Sequence, residues 1–189
     1  VLTMFLASLF YLENPLLPIQ ILFVNLVTDG LPAIALGVDP ADPDIMLEKP
    51  RGKNESVFSR GLTEKIIIRG CLIGVCTILS FIGGKYYGMS IEACRTIALG
   101  TLVLSQLIHV FECRSEKHSL FEINPFTNMY LLFAVSISVI MLLSIVYIPF
   151  LQNVFHTIAL NLGQWLIILF FSSIISFINS LYLYLTHKH

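Results

Sequence analysis

Gln20-Ile21-Leu22-Phe23-Val24-Asn25-Leu26-Val27-Thr28-Asp29-Gly30-Leu31-Pro32 lies in an apolar run, yet it carries a carboxamide, a hydroxyl and a carboxylate. Asn25 and Asp29 are four residues apart, and Asn25 and Thr28 are three apart. On an α-helix those spacings place all three on one face. Gly30 and Pro32 follow at once, so the helix is expected to loosen there and free backbone carbonyls. Oxygen ligands and one negative charge at membrane depth are what a hard cation requires.

Working outward, the whole chain has the composition of a membrane protein. It has 189 residues, 56% hydrophobic and 12% charged, with mean hydropathy +0.84. A soluble domain carries about 25% charged residues. The expected fold class is all-α: a polytopic transmembrane helix bundle with five full spans plus a truncated N-terminal helix. Residues 1–12 form the end of that truncated helix. They would reach about 18 Å, short of a hydrocarbon core of about 30 Å. They lack the positive start and cleavage site of a signal peptide. Glu13-Asn14-Pro15 should turn the chain at a membrane surface. Residues 13–189 form the C-terminal membrane region, with spans expected at about 16–36, 62–86, 93–111, 128–148 and 163–185.

The basic residues orient these spans. Lys49, Arg51, Lys53, Arg60, Lys65 and Arg69 lie in or beside the 37–61 loop, Arg114 and Lys117 in the 112–126 loop, and Lys188 in the tail. Alternating spans put all of these on one side and only Lys85 and Arg95 on the other. By the positive-inside rule the C-terminus is cytoplasmic. Trp165 and most tyrosines fall near span ends, where aromatic side chains anchor. Gly70-x-x-x-Gly74 has the spacing of close helix packing. The four cysteines form no CxxC pair, which argues against metal or redox motifs.

Asp29 is the one acidic residue well inside a span, at a cost of about 2.5–3.5 kcal/mol on insertion scales. It has two readings, a packing hydrogen bond from a protonated carboxyl or a cation ligand. Its neighbours Asn25 and Thr28, and the Gly/Pro break, favour the second. Gln106 could add a neutral oxygen from the third full span. His109 beside it reads more simply as a helix-packing group. Glu112, at the span end, is expected to be solvated. The Asp39/Asp42/Asp44 cluster reads as a solvated loop. There is no P-loop, nucleophile elbow or nucleic-acid surface.

Pro18 to Pro40, PIQILFVNLVTDGLPAIALGVDP, closely resembles the sixth transmembrane segment of P-type calcium-transporting ATPases of the sarcoplasmic-reticulum and bacterial kind. The likeness continues through ADPDIMLEKPRGKNESVFSRG, RSEKHSLFEINPFTNMYLL and ALNLGQWLIIL, and so covers essentially the whole chain. The resemblance implies that 1–12 ends segment five and that the five full spans are segments six to ten. It implies that Asn25, Thr28 and Asp29 coordinate Ca2+ as the transported ion. Gln106 falls where two-site pumps place a glutamate, which implies one ion per ATP rather than two.

The phosphorylated aspartate in its DKTG-type motif, and the nucleotide-binding and actuator domains, are absent from this chain. Mg2+ and ATP are therefore expected only in the full-length pump, and the fragment alone should be inactive. The partners implied are the lipid bilayer and the missing N-terminal transmembrane and cytoplasmic domains of the same pump, with no nucleic acid. The location implied is a prokaryotic cell membrane. The alternatives are a P-type pump for Mn2+, Na+ or H+, or a free-standing membrane scaffold or binding protein without ATPase activity.

Overall fold

The computed structural model describes residues 2–40, 52, 56, 62–114 and 125–186; within these, the side chains of 29, 125, 175 and 178–186 are not described. Every regular element among them is helical. In chain order they are α1 (Leu2–Leu9), α2 (Pro18–Val24), a π-helical turn (Asn25–Gly30), α3 (Leu31–Leu36), α4 (Leu62–Tyr86), α5 (Ile91–Glu112), a 3-10 turn (Pro125–Thr127), α6 (Met129–Tyr147), α7 (Pro149–Phe155) and α8 (Leu162–Thr186). The α2–π–α3 run, α4, α5 and α6 are each long and apolar enough to cross a membrane. The fifth expected span falls on α8, whose described apolar part, Leu162–Ile174, is shorter than a span.

The fold is an all-α membrane bundle, and its surface shows the reason. Ile34 is 73% exposed and Phe133 64%, and Leu22, Leu26, Ile66, Ile67, Ile68 and Phe170 are also exposed. Side chains that are apolar on the outside as well as the inside suit lipid rather than water. Helix ends are closed by side chains. The Ser90 hydroxyl accepts from Ala93 N at 3.2 Å at the start of α5, and Asn128 Oδ1 accepts from Leu131 N at 3.0 Å at the start of α6. These are N-caps, which serve amides that no lipid could serve.

Helix α5 is the centre. It packs against α4 and α8 along much of its length and against α6 and the π turn more briefly. Ile97, Ala98, Leu99 and Val103 are fully buried. The main core joins α5 to Phe23, Val24 and Val27 on one side and to Leu142, Ile145 and Ile168 on the other. Small residues permit the approach. A Cβ on Gly84 of α4 would stand 2.9 Å from Cys94 Sγ of α5, and one on Gly100 of α5 would stand 2.8 Å from Ile168 Cδ1 of α8. Of the Gly70/Gly74 pair, only Gly74 serves packing. Its Cβ position lies 3.3 Å from Leu2 Cδ2 of α1, whereas nothing lies within 4 Å of the corresponding point on Gly70.

The two ends of the bundle are built differently. At one end Glu13 pairs with Lys85 at 3.5 Å, and Arg95 Nε donates to Asn14 O at 3.0 Å. Both members of the ion pair are substantially exposed, so it contributes little to stability. This end also holds α7, inside a stretch expected to be loop. Pro149 starts α7 at a position where its missing N–H costs nothing. His156, at φ 51°, closes it in the left-handed conformation. Thr157 Oγ1 donates to Ile145 O, Tyr147 OH donates to Leu160 O at 2.9 Å, and Trp165 Nε1 donates to Tyr147 OH at 2.7 Å. Two of the expected aromatic anchors, Tyr147 and Trp165, thus form one pair that clips this connection to the bundle.

At the other end Arg114 and Asp39 meet. Arg114 Nε lies 3.2 and 3.1 Å from the two carboxylate oxygens of Asp39, and its side chain is 5% exposed. Asn128 Nδ2 lies 2.8 Å from Asp39 Oδ1 and 3.0 Å from Ala35 O. Asp39 was expected on a solvated loop; instead it joins the ends of α3 and α5 to the start of α6. Asp42 and Asp44, the basic residues of 49–60, Lys117 and Lys188 lie outside the described residues. Glu112 also departs from expectation. Its side chain is 3% exposed, with Arg69 Nη2 at 3.8 Å and His109 Nδ1 at 3.1 Å. Two basic neighbours compensate a carboxylate that would otherwise have to stay in water.

Gly84→Val is expected to lower stability by about 1–3 kcal/mol, the usual scale of overpacking. Gly83→Val, whose Cβ position has nothing within 4 Å, should lose far less. Thermal unfolding of the two variants in the same detergent checks the difference. Asp39→Ala should lower stability by about 3–5 kcal/mol, because it removes the carboxylate that compensates a buried guanidinium; the same unfolding measurement reads it.

Candidate cation site

The site region begins with the way the chain enters it. Gln20 is fully buried and ties down the start of α2. Its Oε1 accepts from Leu17 N at 3.0 Å and its Nε2 donates to Phe155 O of α7 at 3.0 Å. Pro18 occupies the first helical position. Sequence reasoning passed over Gln20 as a functional neighbour. The available signal was a glutamine two residues after that proline, where a side chain can reach back to an orphan amide.

Five residues after Gln20 the helix changes pitch. Asn25–Gly30 is π-helical, with α-helix on both sides. The loosening expected at Gly30 and Pro32 is therefore found in the turn that ends on Gly30. Pro32 explains the position. In an unbroken α-helix its ring would press on the Thr28 carbonyl, and that carbonyl would have no N–H to receive. A wider turn just upstream absorbs the clash. Wide turns of this kind are rare and concentrate at functional sites.

The changed pitch alters which side chains share a face. A π turn holds more than four residues, so residues four apart stay close to alignment while residues three apart drift off the face. Asn25 is exposed and Thr28 is 3% exposed. The Thr28 hydroxyl donates to Val24 O at 2.6 Å. Its proton is thereby engaged, and its lone pairs remain available to a cation. The backbone of Asp29 lies within the turn.

A widened turn leaves carbonyls that need other partners. Ser138 of α6, fully buried, meets this need, with Oγ 3.0 Å from Val27 O and 2.9 Å from its own helix's Ala134 O. One hydroxyl proton is shared between the two acceptors. Ser138 was not foreseen, because its role depends on α6 lying beside the π turn.

Gln106 sits on α5, which also touches the π turn. Its residue is partly buried, and its Oε1 is buried without a hydrogen-bond partner among the described residues. Thr101 Oγ1 and Ser105 Oγ on the same helix are in the same condition. No hydrogen bond among the described residues joins Gln106 to Asn25 or Thr28. Among the described residues, no group of three His, Cys, Asp or Glu side chains is arranged to hold a metal ion. The hydrogen bonds of His109 among the described residues are local rather than to another helix, running to Glu112 through Nδ1 and to Cys113 through Nε2.

Ser138→Ala should destabilise the protein by about 1–3 kcal/mol, the cost of a buried acceptor losing its donor. Ser138→Thr should retain most of the stability. Thermal unfolding distinguishes the two, and backbone hydrogen exchange at Leu31 and Leu26 should rise in the alanine variant alone.

Comparison with known proteins adds a family to this geometry. Residues 13–185 match the family described as cation transporting ATPase, C-terminus. The chain is 50% identical over 179 residues to a calcium-transporting ATPase of Bacillus subtilis (strain 168), covering 94% of the chain and 20% of the relative. It is 42% identical over 197 residues to calcium-transporting ATPase 1 of Bacillus cereus, covering 96% of the chain and 22% of the relative. It is 39% identical over 156 residues to calcium-transporting ATPase 1 of Lactococcus lactis, covering 82% and 17% respectively. The chain thus spans about a fifth of the length of these relatives. With a helical membrane bundle and a family match over most of its length, this chain belongs to the cation-transporting ATPase C-terminal family.

Proposed function

We propose that this chain is the C-terminal membrane portion of an ATP-driven P-type Ca2+ pump. It supplies part of the intramembrane cation site and the helices that support it. The observation that carries this reading is the π-helical turn Asn25–Gly30 in the middle of an apolar span. It sets a carboxamide, a hydroxyl and a carboxylate on a widened turn, one of whose carbonyls, Val27 O, is served by Ser138 of another helix. Calcium binds six to eight oxygens in flexible geometry, and this mixture of charged and neutral donors meets that chemistry. The relatives named as calcium-transporting ATPases support Ca2+ over Mn2+, Na+ or H+ as cargo.

In this reading Asn25, Thr28 and Asp29 are the ligands that this one turn contributes to the site. Asp29 supplies the charge, Thr28 offers lone pairs, and exposed Asn25 turns its carboxamide toward partners contributed by the rest of the pump. Gln106 offers a neutral oxygen where a carboxylate would suit a second ion, so one Ca2+ moves per cycle. ATP, Mg2+ and the phosphorylated aspartate belong to the remaining domains of the same pump. The membrane is a prokaryotic cell membrane, with the C-terminus cytoplasmic and Ca2+ moving out of the cytosol.

Ca2+-dependent phosphorylation by ATP in the full-length protein tests this directly. Asp29→Asn should abolish it or raise the Ca2+ needed by at least about tenfold, the scale of one lost charged contact. A variant with unchanged Ca2+ dependence would remove Asp29 from the site. Gln106→Glu should raise Ca2+ affinity or the number of ions bound per phosphoenzyme, read with radioactive calcium; no change would place Gln106 outside the site.

A further inference from the structure

One cluster of titratable and nucleophilic groups takes no part in the cation site. It lies at the end of α5 that also carries Arg114. His109 stands between Glu112 and Cys113. Its Nδ1 is 3.1 Å from Glu112 Oε2, and its Nε2 is 3.5 Å from Cys113 Sγ. Glu112 is held in turn by Arg69 of α4, whose Nη2 is 3.8 Å from the same oxygen. Cys113 is exposed, while Cys76 and Cys94 are buried. Cys71, the other exposed cysteine, has no imidazole partner among the described residues.

The partners define the proton positions. An ionised Glu112 only accepts, so Nδ1 of a neutral His109 carries the hydrogen. Nε2 then has its lone pair turned toward the thiol. A thiol, a base within reach and a carboxylate that orients the base form the arrangement that activates a cysteine nucleophile. The spacing needs nothing but the helix: residues 109, 112 and 113 stand three and four apart, so they meet on one face.

We propose that Cys113 is an activated thiol and a modification site for low-molecular-weight disulfides, with His109 as its base and Glu112 as the group that positions His109. Cys113 Sγ passes its proton to His109 Nε2. The resulting imidazolium is stabilised by the Glu112 carboxylate, and the thiolate is stabilised by the imidazolium. Arg69 also favours the thiolate, although its charge opposes that of the imidazolium. Arg114, the next residue in the chain, is engaged with Asp39. The thiolate attacks one sulfur of R–S–S–R. A Cys113–S–S–R bond forms as the R–S–S–R bond breaks, and the departing RS⁻ takes the proton from His109 to leave as RSH. The Cys113 sulfur rises by one formal oxidation level and the departing sulfur falls by one, so the exchange balances.

The test uses the intact protein in open membrane fragments, with glutathione disulfide and, separately, iodoacetamide as probes. Modification of Cys113 is followed by peptide mass spectrometry, and a short unstructured cysteine peptide is the reference. The quantity read is the rate at pH 6.5 relative to the rate at pH 9, which cancels differences in access. For Cys113 this ratio should exceed the peptide's by at least about tenfold, as expected for a thiol paired with an imidazole. His109→Gln should bring the ratio down to the peptide's. Glu112→Gln should lower it partway. A Cys113 ratio equal to the peptide's, or one unmoved by His109→Gln, would overturn the proposal. If His109→Gln does not accumulate, the pH profile of the unsubstituted protein decides by itself.

Discussion

A bilayer offers no hydrogen bonds, so every carbonyl that leaves a helical ladder needs a partner from within the protein. The hydroxyl of Ser138 on Val27 O is the place where this structure meets that requirement. Pro32 forces the departure from α-helical pitch, and the π turn distributes it over Asn25–Gly30. Without a donor on α6, the widened turn would carry an unserved carbonyl at membrane depth. With it, the turn has a stable position against its neighbour and still leaves side-chain oxygens uncommitted.

The rest of the bundle keeps α6 and the π turn at that distance. Helix α5 acts as the central post, and glycines at 84 and 100 let α4 and α8 close on it. At one end Gln20 fastens α2 to α7, and Thr157 and Tyr147 fasten the α7 connection to α6. At the other end Asp39 and Asn128 fasten α3 to α6, and Arg114 brings in α5. The irregular segment is therefore held above, below and at its middle. Such over-determination is what an energetically unfavourable local geometry needs to persist.

The polar groups of α5 divide by position. Toward the middle, Thr101, Ser105 and Gln106 have buried oxygens that bond to nothing among the described residues. Near its end, His109, Glu112 and Cys113 bond to one another and to Arg69. Unserved oxygens in mid-membrane suit a ligand that arrives and leaves. A closed set of charged groups at the helix end suits local structure and local reactivity. Both kinds of chemistry rest on one helix because its neighbours are close enough to exclude solvent along most of its length.

Some of this was written in the residue order alone. Apolar runs of spanning length mark helices α4, α5 and α6 as elements able to cross a membrane, because in lipid a helix must satisfy its own backbone. Asn25, Thr28, Asp29 and the Gly30/Pro32 break mark an irregular polar segment for the same reason. The tertiary structure decided what depends on neighbours distant in sequence. It set the π turn one step upstream of its proline, turned Thr28 inward while leaving Asn25 exposed, and buried Glu112 between Arg69 and His109. It paired Asp39 with an arginine 75 residues away. Spacing along one helix cannot reveal the pairings of Asp39 with Arg114 and of Glu112 with Arg69, because each is fixed by an opposite charge that another part of the bundle brings to it.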